Sequence, residues 1–404
     1  QVTDDDNNNE TQTISLTIDE AVEDESGLII IASTFSATDD ETSDSGDDSQ
    51  TFTNTSSTQT GTATLVENTA SNDNLVTVTL PPGVSITSEG SADAQSSEEA
   101  QESLTESIQQ LNSETETTDD LIGNVNNFIN QLPDSTQVDV RTIVPTTTST
   151  NLEQPILFTG SSGSSTGDDQ TEAFIIDLSN LPSGTEIQLD NIDFAVIIGS
   201  VEITGGSGSN VVYADDSAQI IVLGEDDDTL HGGGGNDTIG SAGGDDLLIG
   251  GRGRDLITGG ADNDTLKGGP QSDSLIGGSG DDILSGGLGR DTLKGSSGND
   301  LLKGQKSHDL LKGNKGNDTL FGGKGKDILK GGAGLDTFRL SKGKDTIKDF
   351  SINDGDVIEA PNNSNLRLIQ RGDHLLLKNQ DNNIKTRLLN INRDDLITYQ
   401  PDLI

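Results

Sequence analysis

An aspartate returns at every ninth residue from Leu223 to Lys348, fourteen times, with no insertion or deletion. The set is Asp228, Asp237, Asp246, Asp255, Asp264, Asp273, Asp282, Asp291, Asp300, Asp309, Asp318, Asp327, Asp336 and Asp345. Two residues after each stands an apolar side chain, from Leu230 and Ile239 through Leu320 and Leu329 to Phe338 and Ile347. The full pattern is G-G-x-G-x-D-x-U-x with U apolar, as in Gly232-Gly-Gly-Gly-Asn-Asp237-Thr-Ile239 and Gly250-Gly-Arg-Gly-Arg-Asp255-Leu-Ile257. A unit with one dependable apolar position in nine cannot close a core alone. Copies must stack and bury a continuous column of Leu and Ile, which predicts a parallel β-solenoid.

The same spacing predicts a metal. Glycine reaches backbone angles that a side chain forbids, so the glycine-rich half turns a corner and brings carbonyl oxygens together, while the aspartate adds a carboxylate. With two repeats per turn the aspartates form two columns, one running Asp228, Asp246 and onward to Asp336, the other Asp237, Asp255 and onward to Asp345. Successive members then lie about 4.8 Å apart. Bare carboxylates repel at that distance. Calcium takes six to eight oxygens, carboxylate and carbonyl mixed, and suits such corners better than magnesium. One ion between each vertical pair allows up to about twelve, and binding and folding become one event.

These residues resemble the RTX (repeat-in-toxin) calcium-binding β-roll family over Leu223–Lys348, just under a third of the chain. Some copies depart from the pattern. The fourth-position glycine is Asp226, Asp262, Gln271 or Ser307, and the leading glycine pair is incomplete in the repeats beginning at Leu223, Ser241, Gly295, Gly304, Gly313 and Leu340.

The nine-residue register also runs backward from Leu230 through Ile221, Val212, Ile203 and Phe194, with Asn210, Gln219, Val201 and Ile192 where aspartate would stand. Residues 187–222 are therefore expected to be metal-free rungs that cap and nucleate the roll. Coincidental strand content is the alternative. Beyond Lys348, Asp349-Phe350 and Gly355-Asp356-Val357-Ile358 resemble the segment that closes RTX rolls, and His374–Leu377 and Arg387–Ile391 suggest a small β cap over 349–404. The resemblance also implies that Asp402-Leu403-Ile404 is a C-terminal type I secretion signal.

Residues 1–60 read as a low-complexity acidic stalk with one strand at Gly27–Ala32. Residues 61–186 read as a small mixed α and β module. Leu75–Leu80 is a strand closed by Pro81-Pro82-Gly83. Ser96 begins a helix carrying Leu104, Ile108 and Leu111, and Thr118 begins a second carrying Leu121, Val125, Phe128, Ile129 and Leu132. The fold class is mainly β: a parallel β-roll preceded by an acidic Ser/Thr-rich region holding that module.

Composition narrows the function. The 404 residues carry a net charge of −46, which opposes nucleic-acid binding and favours cations as partners. There is no cysteine, hence no disulfide and no thiolate site. No apolar run reaches the roughly 18 residues of a membrane helix. The chain begins at Gln1 and lacks Met, so it reads as processed or trimmed. Residues 1–222 hold 40 acidic groups against one basic residue, Arg141, and contain no His, Cys or Lys to serve as base or nucleophile. One G-x-S-x-G, Gly163–Gly167, lies in a Ser/Gly-rich run and reads as linker. Asp and Glu leave carboxylate catalysis open.

The expected role is a secreted, extracellular or cell-surface protein of structural or adhesive kind, without enzymatic activity. Its acidic N-terminal part and basic residues 290–348, with thirteen Lys and Arg against seven Asp, invite head-to-tail assembly into fibrils. Lys294, Lys312, Lys330 and Lys348, spaced by 18, form a ladder for an anionic polysaccharide or simply a solvated face. The layout is similar, more loosely, to cyanobacterial oscillin-type surface-layer and gliding-fibril proteins. The alternatives are a secreted enzyme or toxin with an RTX tail and a monomeric calcium buffer.

Overall fold

The computed structural model describes residues 12–14, 34–37, 47–54, 59–67, 74–91, 94–111, 116–133, 136–160, 170–182, 184–200, 202–361, 366–379 and 383–403. The expected strand at Gly27–Ala32 and the segment Gly163–Gly167 lie outside these residues, as does Ile404. The chain divides into two units, 1–201 and 202–404.

In the N-terminal unit Asp47–Thr53 pairs antiparallel with Val84–Ser91, and Val84–Ser91 with Gln137–Thr147. Part of the expected stalk is thus a sheet strand. It is polar because cross-strand hydroxyl pairs stabilise it, Thr53 with Ser85 at 3.0 Å and Thr51 with Thr87 at 3.5 Å. Asn74–Leu80 pairs antiparallel with Gly61–Glu67 and with Ile156–Gly160.

The two helices are Ser97–Leu111 and Glu116–Ile129. Ser96 and Glu99 form a reciprocal capping box: the Ser96 backbone N–H and hydroxyl donate to the Glu99 carboxylate, and the Glu99 N–H donates to the Ser96 hydroxyl. Leu104, Ile108, Leu121, Val125 and Ile129 are buried, and the Phe128 ring stacks on Phe194 with centroids 4.3 Å apart. The helical stripes are therefore core.

The strands Glu186–Asp190 and Phe194–Ile198 do pair in parallel, but with Ile156–Gly160 and Gln170–Asp177, in registers such as Ile187 on Ile156 and Phe194 on Ala173. The nine-residue step does not hold there, because longer connections intervene. In the C-terminal unit it holds from the first strand. Glu202–Gly205 pairs with Ile220–Val222, and Val211–Ala214 with Thr229–His231, as Ile203 on Ile221 and Val212 on Leu230.

From there two parallel sheets alternate strand by strand, each strand pairing with the one 18 residues on, as Ile257 with Leu275 and Leu284 with Leu302. The residue at position eight points inward at every rung, and none from Leu230 to Ile347 exceeds 2% exposure. Each such Leu or Ile contributes about 1.5–3 kcal/mol of burial.

The roll is closed by the last 50 or so residues. Val357–Glu359 adds a rung to Thr337–Arg339, and Ile384–Leu388 adds one to Thr346–Ile347. An antiparallel hairpin, Arg367–Arg371 with His374–Asn379, completes the β cap, to which Ile384–Leu388 is joined. The helix Arg393–Tyr399, capped by the Asn392 side chain, leads to Gln400. The Gln400 side chain accepts from the Ile358 N–H at 2.9 Å and donates to the Ile358 carbonyl at 3.3 Å. It thereby covers a sheet edge that would otherwise be bare. Leu403 is buried.

Candidate metal centre

All fourteen position-six aspartates are buried, none more than 3% exposed. One regular contact orients them. The backbone N–H of each donates to Oδ1 of the aspartate 18 residues on, for example Asp264 to Asp282 and Asp273 to Asp291, both at 3.0 Å. Oδ1 is thus committed to the backbone of the preceding turn, and Oδ2 faces the corner.

In twelve of the fourteen Oδ2 has no hydrogen-bond partner. The exceptions stand at opposite ends. The Ser241 hydroxyl donates to Oδ2 of Asp228, the first member of one column, at 3.4 Å, and the Ser341 hydroxyl to Oδ2 of Asp345, the last of the other, at 3.0 Å. A buried carboxylate oxygen without a partner is costly.

Glycine makes the corner possible. A Cβ on position-one Gly277 or Gly313 would lie 2.1 or 2.0 Å from Oδ2 of the aspartate in the same repeat. At Gly251 it would meet the Gly233 carbonyl oxygen at 2.1 Å, and at Gly253 the Gly235 carbonyl oxygen at 1.4 Å. Carboxylate and carbonyl oxygens therefore share a space that any side chain would fill. Among the described residues no three His, Asp or Glu side chains cluster around a common point. The corners are built instead of single carboxylates with main-chain oxygens, a hard donor set without nitrogen or sulfur, and calcium fits it.

Burial raises the carboxyls in this metal-free state. Asp237 and Asp282 rise to about 7, and Asp264 and Asp309 to about 8, where the charges of neighbouring aspartates in the column add to the effect of burial.

The columns extend beyond the sequence pattern at both ends. The Asn210 N–H donates to Asp228 and the Gln219 N–H to Asp237, so uncharged residues head each column. At the far end the Asp336 N–H donates to Oδ1 of buried Asp356 at 3.0 Å. Asp356 escapes a count by nines because its step is 20 residues; the signal that could find it is the D-x-U of Asp356-Val-Ile358, which repeats the core of the motif after a two-residue insertion.

The fold also separates what the nine-residue register merged. Corner positions three to five along the Asp228 column carry Glu225, Asp226, Asp227, Asp245, Asp262 and Asp281 with one cation, Lys315. The same positions along the Asp237 column carry Arg252, Arg254, Arg290, Lys306, Lys324, Lys326, Lys342 and Lys344 with no acid. One edge is acidic and the other basic. On the basic edge His308 is exposed and its Nδ1 accepts from the Lys326 N–H. His231, expected on the surface, is instead half-buried against the Tyr213 ring, and burial lowers its pKa to about 4.

Outside the roll the N-terminal unit buries Asp139, Arg141 and Glu172 together on paired strands. Arg141 Nε donates to Asp139 at 2.8 Å. Burial, followed by the charge of Asp193, pushes the Glu172 carboxyl up to about 10.

A family model, the RTX calcium-binding nonapeptide repeat (4 copies), matches in overlapping windows from 204–239 and 213–248 through 303–338 and 312–347. The match begins 19 residues before Leu223, within the rungs that lack aspartate. No curated protein matches the chain. Among solved structures, the extracellular lipase LipA from Serratia marcescens is similar over 47% of this chain, at 21% identity and a TM-score of 0.17. The chain spans 39% of that protein's length. No helix among the described residues is long and apolar enough to cross a membrane.

Proposed function

We propose, from the premise that residues 204–347 are an RTX calcium-binding β-roll, that the fourteen position-six aspartates are its calcium ligands and that the cation drives its folding. The observation that carries this is the set of twelve buried Oδ2 atoms without partners. Oδ2 and the glycine carbonyl oxygens hold the ion; calcium supplies the positive charge that the chain itself does not place there. Circular dichroism through a calcium titration tests it. The β signal should rise with calcium and fall with chelator, and a signal independent of both would end the reading.

The biological role we propose is non-enzymatic: a secreted or cell-surface structural element, exported through its C-terminal segment and stiffened by calcium. Support comes from charge. Residues 1–222 sum to −39, from 40 acidic groups and one basic, whereas the cations gather toward the far end of the roll. Opposite ends of opposite sign favour head-to-tail association. Sedimentation in excess calcium should show salt-sensitive oligomers; a strict monomer favours the calcium-buffer reading. The buried Glu172, Asp139 and Arg141 cluster is what favours an RTX-tailed enzyme. Hydrolysis that survives in the wild type and disappears in Glu172→Gln would support that second reading.

A further inference from the structure

The two edges of the roll differ in sign, and the basic edge ends in a concavity. We infer that this edge is a binding site for a linear anionic polysaccharide bearing carboxylate or sulfate groups, seated first in that concavity. The inference rests on the structural, surface-protein reading above and supplies its partner.

The concavity is about 520 Å³ in volume. Its lining includes Lys324, Lys326, Lys342, Lys344, Lys385 and His308, and no acidic residue. The four roll lysines occupy positions three and five of two consecutive corners. They are held by main-chain pairing, not by flexible loops. Gly325 bridges Gly343 in parallel, and the Lys344 N–H donates to the Gly325 carbonyl at 2.8 Å. The Gly343 N–H donates to the Asn383 carbonyl, which ties the segment bearing Lys385 to the same corner.

Lys324, Lys326, Lys342, Lys344 and Lys385 are all exposed, and none makes an ion pair with a described residue. Five like charges around one hollow repel each other. The chain accepts that repulsion with no acid among the lining residues, so the counter-charge must come from outside.

A polymer fits better than a single small anion, because the cationic edge continues. Lys306 is in register with Lys324 one turn back, at the strand spacing of about 4.8 Å. Further along the edge stand Arg290, Arg254 and Arg252. A linear polyanion can lie along this row and release counterions at each contact. The Lys294, Lys312 and Lys330 ladder is also in register, but on a flat sheet face among Thr292, Leu310 and Ile328. It offers no concavity.

The test uses the full chain in excess calcium with two fluorescent probes, a hyaluronan oligosaccharide and a dextran sulfate oligosaccharide, and uncharged dextran as control. Wild type should bind at least one charged probe, and the bound probe identifies carboxylate or sulfate as the recognised group. The variant Lys324→Gln, Lys326→Gln, Lys342→Gln, Lys344→Gln should lose about tenfold or more in affinity and show a shallower dependence on salt. The variant Lys294→Gln, Lys312→Gln, Lys330→Gln, Lys348→Gln should stay within about threefold. Calcium-induced circular dichroism, unchanged in both variants, shows that the roll still folds and separates failure of this site from failure of calcium-driven folding. Binding of neither probe, or an equal loss in both variants, overturns the proposal. So does a result in which the edge variant abolishes only self-association, which would make the acidic edge of another copy the occupant.

Discussion

The N-terminal unit and the roll both bury carboxylates, and they treat them oppositely. In the N-terminal unit the chain supplies the answer. Asp139 is met by Arg141, Asp177 accepts from the backbone and hydroxyl of Ser179, and Glu172 holds its proton through neutral pH. In the roll each aspartate receives one main-chain N–H on Oδ1, and twelve Oδ2 atoms are left with nothing from the chain. A unit that neutralises its own interior folds on its own terms. One that leaves a column of charges open has made its folding conditional on a cation or a proton.

Removing calcium should break the comparison most visibly. In chelator, amide exchange across Leu223–Lys348 should become fast while the strands Gln137–Thr147 and Gln170–Asp177 keep their protection. If both units lost protection together, the N-terminal unit would not be the self-sufficient partner described here.

A proton can stand in for the cation, which gives the next largest effect. Folded, metal-free Asp237 and Asp282 titrate at about 7, and Asp264 and Asp309 at about 8, above the roughly 3.9 of an unfolded aspartate. The folded state therefore binds more protons than the unfolded one across that window. Its stability in chelator is greatest near pH 4 and falls as pH rises through about 6–8. Calcium must displace those protons, so calcium affinity should rise over the same range. Circular dichroism in chelator and in calcium between pH 4 and 8 checks both slopes, which should have opposite signs.

Single substitutions should show the contrast residue by residue. Arg141→Gln strands Asp139 in a buried site, and the N-terminal unit should lose about 3–5 kcal/mol with no dependence on calcium. Asp282→Asn removes one mid-column charge. It should weaken the roll by about 1–3 kcal/mol in calcium, yet relieve repulsion and cost less in chelator. Asp345→Asn, at a column end where Ser341 already serves Oδ2, should cost less in calcium than Asp282→Asn. Denaturant titrations with and without calcium separate the three.

The roll is legible because its period is unbroken. Asp at position six and an apolar residue at position eight suffice to derive stacking, corners and the two columns. The sequence hides what depends on the turn rather than the repeat. Counting by nines mixes Asp227, Asp245 and Asp281 with Arg254, Arg290 and Lys326; only folding at 18 sorts them onto opposite edges. Asp356 is hidden by a two-residue insertion. The strands Glu186–Asp190 and Phe194–Ile198 carry the apolar residues of a rung, but pairing 31 and 21 residues back, Ile187 on Ile156 and Phe194 on Ala173, leaves no fixed period to read. Asp47–Thr53 reads as stalk because its side chains are polar, and the hydroxyl pairing that stabilises it is a property of two strands together.

The smallest effect concerns glycine, and it compares the two regions at one backbone angle. Position four of the repeat needs a positive φ, and Gln271 holds it at φ 74 without being glycine. An L-residue there costs about 1–2 kcal/mol. Gln271→Gly removes that strain, but glycine returns roughly 0.5–1 kcal/mol through the entropy of the unfolded chain. The net should be a gain of about 0.5–1 kcal/mol for the calcium-loaded roll. Gly83 in the N-terminal unit has the same φ of 74, and no atom lies within 4 Å of the place a Cβ would take. Gly83→Ala should then lose about 1 kcal/mol or less, from backbone strain alone. Gly289, one turn after Gln271, would place its Cβ 1.7 Å from the Gln271 carbonyl oxygen. If Gly289→Ala were as mild as Gly83→Ala in a calcium-loaded thermal melt, the crowded oxygen corner would not be what selects glycine in the repeat.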